Sequence, residues 1–315
     1  MTSHPQHPEQ KALLQFEHQV GGHQRMLAHP ENSGIIIKPV TNREHNFYEE
    51  SALHPDFKAW MPEFYGCLVP QSGDAQSNGL PLDADNGLKS GEVYICMENL
   101  VAGFKKPCLM DLKIGTRLYD DDASEEKKAR MQQQALKTTT GSLGIRITGF
   151  QVWNESTKSY YTFERELGRS LTADGVPDAL ARFFSADGLT QDQRAMLIER
   201  FMDELYAFEE MLREQEVRLY ASSLLFIYEG DPVAMAEALT KEEEDIKKKE
   251  EREKKEEEEE ENMEEEEEEE DERKVFELRI VDFAHSHWET GIGPDDGAVL
   301  GVQNTIKFLG ALQKK

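Results

Sequence analysis

The chain has 315 residues, 38% of them hydrophobic, and a formal charge of −27. That length builds one large domain or two lobes around a cleft, and a surface acidic throughout would repel polyanionic partners, arguing against direct nucleic-acid binding. The charge is uneven, however: residues 241–274 hold 22 acidic and 9 basic side chains, a net of −13, so a phosphate pocket elsewhere is not excluded. Cys67, Cys96 and Cys108 form no CxxC pair, which indicates neither a disulfide framework nor a zinc site and fits an intracellular, reducing location, nucleus and cytoplasm. Residues 1–10, MTSHPQHPEQ, read as a flexible tail without an apolar signal core. No run approaches the about 18 apolar residues of a spanning segment, so a soluble protein with no transmembrane segment, a monomer, is expected.

After the tail, LLQFEHQVGGH bends at Gly21 and Gly22 before GIIIKPV, whose apolar run predicts a buried strand ending in Lys38. Residues 43–53 predict a helix, and VYICM at 93–97 predicts a strand followed by ENL and Gly103. Together these form an N-terminal αβ lobe, residues 11–100, closing in a connector; the Gly-, Ser-, Asp- and Pro-rich stretch 70–91 reads as a solvent loop. The C-terminal lobe, residues 101–315, opens with a helix from Ser124 to about Lys137. Ser124 is its N-cap, and Glu125 and Glu126 in the first turn and Lys137 in the last suit the macrodipole. A longer helix over 190–216 repeats Leu197, Phe201, Leu205, Phe208 and Leu212 at core spacing. SSLLFIYEG at 222–230 and VFELRIVDF at 275–283 predict a hairpin with the acidic insert, 231–274, at its tip. Long loops close at little extra cost and a Glu/Lys sequence has no means of forming a core, so the insert is expected to be disordered or a lone solvated helix.

Asp111, Lys113 and Gly115 form a D-x-K-x-G pattern that, if extended, puts acid and lysine on one face. A carboxylate there would orient or deprotonate an attacking hydroxyl while the ammonium neutralises a transferred phosphoryl group; a surface ion pair is the bland alternative. Asp282, at the end of the apolar strand LRIV, would hold Mg²⁺ against ATP phosphates or merely cap the next turn. Lys38 would bind phosphates and pair with Glu44, and Glu98, Asn99 and Leu100 stand where exposed backbone would meet adenine. Lys127, Arg130, Gln134 and Lys137 fall at i, i+3, i+7 and i+10, a stripe with three cations suited to several phosphates, though cations on helices are commonly just solvated. His285 and His287 have no third ligand at sensible spacing, so zinc is rejected; one imidazole would donate to a substrate phosphate or serve the fold.

With these residues in view, PCLMDLKIGTR resembles the PxxxDxKxG signature of the inositol polyphosphate kinases. HQVGGH, IIIKP, REHNFYE, MENL, DASEEK, GRSL, ARFF, YASSLLFIYEG and VDFAHSHW resemble further blocks of that family in the same order, and GRSLTADGVPDALARFF is most similar to its multikinase branch. The resemblance implies an α+β, two-lobed, protein-kinase-like fold with ATP between the lobes and an inositol polyphosphate against a basic helix. It assigns ATP to Lys38, Glu98, Leu100, Asp111 and Asp282, the metal Mg²⁺ to Asp282, and catalysis to Asp111 and Lys113. It assigns substrate phosphates to Lys113, Lys127, Arg130, Lys137 and His285; QQQ at 132–134 permits a shifted helix register that would exchange Arg130 for Gln133 or Gln134. The implied activity is phosphorylation of inositol tris- and tetrakisphosphates, with phosphoinositide lipid as an additional substrate. The alternatives are a hexakisphosphate kinase or a non-enzymatic scaffold whose acidic insert binds basic nuclear proteins.

Overall fold

The computed structural model describes residues 14–16, 18, 20, 26–29, 31–70, 76–77, 80–81, 88–89, 91–256 and 273–314. The tail at 1–10 and the part of the insert at 257–272 lie outside these residues. Among the described residues no helix is long and apolar enough to cross a membrane.

The first lobe contains β1 (Leu14–Gln15), β2 (Leu27–Ala28), β3 (Ile35–Val40), α1 (Asn42–Glu50), α2 (Pro55–Lys58), β4 (Phe64–Leu68), a small hairpin of β5 (Gln76–Ser77) and β6 (Leu80–Pro81), and β7 (Val93–Glu98). Its main sheet is antiparallel in the order β1-β2-β3-β7-β4. β3 does not end at Lys38 as its apolar run suggested. Lys38 pairs with Ile95 and the ladder continues through Pro39 and Val40, so the lysine is fixed in mid-strand. Nor is 70–91 solvent loop throughout, because Leu88 is buried against Ile37, Leu68 and Tyr94 on the outer face of this sheet.

Thr41 caps α1 by accepting the Glu44 N–H, the side-chain device that satisfies an orphan helix donor. The apolar side of α1 is spent largely on the other lobe. Phe47 stacks on Phe283 at 4.7 Å between centroids and on Trp288 at 5.7 Å, while Phe57 meets Trp288 edge-on at 5.1 Å. Rings of this size dominate burial energetics, so α1 is anchored to the C-terminal lobe as firmly as to its own sheet.

The second lobe runs β8 (Pro107–Ile114), α3 (Glu125–Leu136), α4 (Thr139–Leu143), β9 (Ile145–Asn154), β10 (Ser159–Phe163), α5 (Arg165–Ser170), α6 (Val176–Phe183) and α7 (Gln191–Arg213). It continues through β11 (Val217–Leu219), β12 (Ser223–Glu229), α8 (Pro232–Glu256), β13 (Phe276–Val281), β14 (Ser286–Trp288) and α9 (Asp296–Leu312). The sheet β10-β9-β8-β12-β13 is antiparallel throughout and places β8 at its centre, buried except at Lys113. α7 buries the five apolar residues that its periodicity singled out, and a Thr190/Gln193 capping box starts it.

β12 and β13 pair from Ser223–Val281 to Tyr228–Phe276, the predicted hairpin. Disorder from residue 231 is corrected: Asp231 accepts the Val233 and Ala234 N–H groups, and α8 begins at Pro232. Ala234, Met235 and Ala238 are buried at helical spacing before the Glu/Lys run takes over, so the first turns pack and the remainder up to Glu251 faces solvent.

Candidate active site

A cleft of about 930 Å³ lies between the two sheets, and Ile36, Met97, Leu100, Leu109, Leu225 and Val281 give it apolar walls. Its floor is β8. Asp111 and Lys113, two residues apart, both face it, and β12 and β9 flank them: Leu225 lies opposite Asp111 on one side and Arg146 opposite Lys113 on the other. Lys113 Nζ donates to Ala221 O at 2.7 Å and Ser223 Oγ at 3.1 Å and stands 3.9 Å from Asp282 Oδ2. Burial pushes the Asp111 carboxyl above the usual carboxylate range, with Asp282 adding to the effect and Lys113 opposing it. Its Oδ1 is buried without a hydrogen-bond partner. The Ser223 and Thr148 hydroxyls beside this carboxyl favour its charged form, and its place on the cleft floor leaves it able to accept a further donor from a bound molecule.

Asp282 follows β13 with φ of 67°, a left-handed backbone rare for a non-glycine residue. There its Oδ1 accepts Lys38 Nζ at 2.8 Å, while Glu44 Oε1 accepts the same ammonium at 2.7 Å. Burial disfavours the charge on Lys38, yet Asp282 and Glu44 outweigh it and hold the ammonium well above its ordinary pKa. Glu44 Oε1 also accepts the Phe283 N–H at 3.3 Å, so one carboxylate ties α1 to both the lysine and the segment after β13. At the connector, Glu98, Asn99, Leu100 and Val101 line the cleft. The Glu98 carboxylate is engaged by the Glu63 N–H at 3.3 Å and Lys274 Nζ at 3.5 Å.

The opposite end of the cleft differs from the sequence reading. α3 presents Met131 and Gln134 to it, whereas Lys127 pairs with Asp120 at 3.8 Å and Arg130 and Lys137 are exposed; none of these three cations lines the cleft. Ala135 is the buried residue of the helix and sets its rotation, so that Gln134 of the predicted stripe faces the cleft while Gln133 is exposed. His285 does line the cleft, with Nδ1 2.6 Å from Asp120 Oδ1.

Arg146, Arg165 and Arg169 supply the charge in place of those cations. Arg146 is 4% exposed, its Nη1 has no hydrogen-bond partner, and burial together with Arg165 and Arg169 pulls its guanidinium below the usual range, Asp111 partly compensating. Of the three only Arg146 is buried, Arg165 and Arg169 being exposed; a buried guanidinium placed opposite Lys113 is costly unless an anion neutralises it. Arg146 carried a faint signal, a lone arginine inside the apolar strand IRITGF; Arg165 and Arg169 reach the site from a short helix that no local pattern ties to it.

Two lobes hinged at a connector, with a lysine–glutamate pair, two carboxylates and a cationic far wall, define a protein-kinase-like phosphotransferase of α+β architecture. The family model for inositol polyphosphate kinase matches residues 94–310. The inositol polyphosphate multikinase of Saccharomyces cerevisiae is 34% identical over 92% of this chain and 96% of its own length, and that of Schizosaccharomyces pombe 30% over 96% and 98%. Inositol hexakisphosphate kinase 3 of Mus musculus is 34% identical over 70% of this chain and 51% of its own. The crystal structure of the inositol phosphate multikinase Ipk2 from S. cerevisiae with ADP and Mn²⁺ superposes with a TM-score of 0.65 at 29% identity, covering 89% of this chain and 99% of that one. The chain belongs to the inositol polyphosphate kinase family.

Proposed function

We propose that the protein is an ATP-dependent inositol polyphosphate multikinase that transfers the γ-phosphoryl group of ATP to hydroxyls of inositol tris- and tetrakisphosphates. The observation that carries this reading is the arrangement of charge along one cleft: Lys38, Glu44 and Asp282 at one end, Asp111 and Lys113 at the centre, and Arg146, Arg165 and Arg169 at the other. Nucleotide phosphates meet Lys38, and the adenine lies between the apolar walls near Leu100. The inositol phosphate rests with its phosphates against the arginines and His285. Neutral Met131 and Gln134 on the α3 face leave fewer cations than a fully phosphorylated ring demands, which favours the lower inositol phosphates.

Asp111 Oδ1, lacking a partner, accepts the hydrogen bond of the attacking hydroxyl. As the new oxygen–phosphorus bond forms and the bond to the ADP oxygen breaks, the hydroxyl proton passes to Asp111. A loose transition state needs little proton removal beforehand, so most of the gain comes from positioning and from charge neutralisation by Lys113. Among the described residues no group of three or more His, Cys, Asp or Glu encloses a metal. Magnesium uses one or two carboxylates plus substrate phosphates, however, and Asp282, lining the cleft beside Lys38, supplies such a carboxylate. Bound there, the ion would offset charge on the nucleotide phosphates. The acidic residues of 241–272 are suited to basic nuclear proteins.

The test is direct. Purified protein with Mg²⁺, labelled ATP and inositol 1,4,5-trisphosphate should yield tetrakis- and pentakisphosphates, and Asp282→Ala should abolish this. Turnover of the hexakisphosphate alone would overturn the multikinase assignment.

A further inference from the structure

Asp120 lies in the loop between β8 and α3 and, like Arg43, is absent from the cleft wall. It is 8% exposed, and two cations and an imidazole from three separate elements meet on its carboxylate. Arg43 Nη1, from α1, donates to Oδ2 at 2.5 Å; His285 Nδ1, beyond β13, is 2.6 Å from Oδ1; Lys127 Nζ, from α3, is 3.8 Å from Oδ1. The second arm of Arg43, Nη2, donates to Asp122 Oδ2 at 2.6 Å.

Arg43 and Glu44 are neighbours in the first turn of α1, and they reach in different directions. Glu44 holds Lys38 and the Phe283 N–H, while Arg43 holds Asp120. Because a helix moves as a rigid element, a shift of α1 that releases Arg43 from Asp120 also draws Glu44 away from Lys38. The stacking of Phe47 on Phe283 and Trp288 fixes the middle of α1, while Arg43 and Glu44 tie its first turn to Asp120, Lys38 and the Phe283 N–H.

We propose that Asp120 is a positioning residue for phosphoryl transfer, coupling the two ends of the cleft: through Arg43 it sets the first turn of α1 and hence Lys38 at the nucleotide phosphates. Its other oxygen lies 2.6 Å from His285 Nδ1 and limits where that imidazole sits beside the acceptor. Touching neither substrate, it acts wholly through these partners. The coupling of nucleotide to acceptor rests on the kinase reading; the coupling of Asp120 to Lys38 does not.

Binding of mant-ATP with Mg²⁺, measured on the full chain by fluorescence titration without any inositol phosphate, isolates that second part. Asp120→Asn should weaken mant-ATP binding about tenfold, within the usual range for neighbouring coupled residues. Arg43→Met, at a partly exposed side chain that folding tolerates, should do the same. The double variant should be no weaker than either single, because both cut one link. Asp122→Asn should stay within about twofold, since that carboxylate is exposed. In turnover with inositol 1,4,5-trisphosphate, Asp120→Asn should raise KM for ATP as well as lower kcat, which a loop-anchoring role alone would not do. Unchanged mant-ATP affinity in Asp120→Asn, or additive losses in the double variant, would overturn the proposal. Absence of turnover in the wild-type chain with the mant-ATP pattern intact would instead sink the kinase reading and leave Asp120 in its place.

Discussion

Gly301→Ala sets two effects of opposite sign against each other. Gly301 lies in the interior of α9, where alanine is favoured over glycine by about 1 kcal/mol of helix propensity. A Cβ added there would lie 2.3 Å from Gly144 O and 3.2 Å from Gly144 C, both backbone atoms that cannot swing aside. Overpacking of this kind costs about 1–3 kcal/mol. The same Gly144 carbonyl accepts the Gly115 N–H at 2.9 Å, and Gly115 ends the DLKIG strand at φ of 93°, so pushing the carbonyl also strains a hydrogen bond with a net value of about 1 kcal/mol. Packing therefore wins, by about 1–3 kcal/mol net, a fall in Tm of several degrees at about 2–4 °C per kcal/mol. Thermal melts followed by circular dichroism would show it, and kcat should fall as well, because the end of β8 carries Lys113. A melting temperature equal to or above that of the parent chain would refute the reasoning.

Other consequences are as definite. Arg146→Met should lower kcat/KM for inositol phosphate about 10- to 100-fold through loss of a charge-assisted contact, with ATP affinity little altered; steady-state kinetics in each substrate checks this. Because burial raises the Asp111 pKa, the folded state keeps that proton to higher pH than the unfolded chain does. Its contribution to stability is therefore present at low pH and lost as pH rises through the folded value, while activity that needs the carboxylate rises over the same interval. The acid limb of the pH–kcat/KM profile should lie above that of an ordinary aspartate, about 3.9, and a limb at that value would contradict the burial argument. Replacing 241–272 with a short Gly/Ser linker should leave turnover within about twofold and abolish binding to polylysine. Met235→Asp should instead destabilise the fold by about 2–5 kcal/mol in urea titrations, since this side chain is fully buried.

The central machinery was legible because it is local. Asp111 and Lys113 share a strand face two residues apart, and Lys38 and Glu44 are separated by one strand-to-helix turn, so periodicity alone brings them together. The hairpin of β12 and β13 could be read across its insert because each arm is an apolar run that needs a partner. The acceptor wall was not legible. Which face of α3 turns inward depends on Ala135 packing below it, not on where its cations fall, and those cations lie outside the cleft. Arg165 and Arg169 arrive on a six-residue helix whose position is set where Gly168 packs on the Ile147 carbonyl, a contact with no signature in the chain. The start of α8 was missed for a simpler reason: three small or flexible apolar residues, Ala234, Met235 and Ala238, sit at the edge of a stretch dominated by charge.

The hairpin of β12 and β13 separates what must stay constant from what is free to vary. Ser223 and Val281 pair beside Lys113 and Asp282, and Tyr228 and Phe276 pair five residues away, roughly 17 Å at a strand's rise. At that remote end Glu229 accepts the Lys105, Lys106 and Asp231 N–H groups, clamping the base of the insert to the connector. Length, composition or cargo added beyond the clamp leaves the register at the catalytic end untouched. The fold thus carries a built-in grafting port, one through which a lineage, or an engineer, can append an interaction module without renegotiating the chemistry.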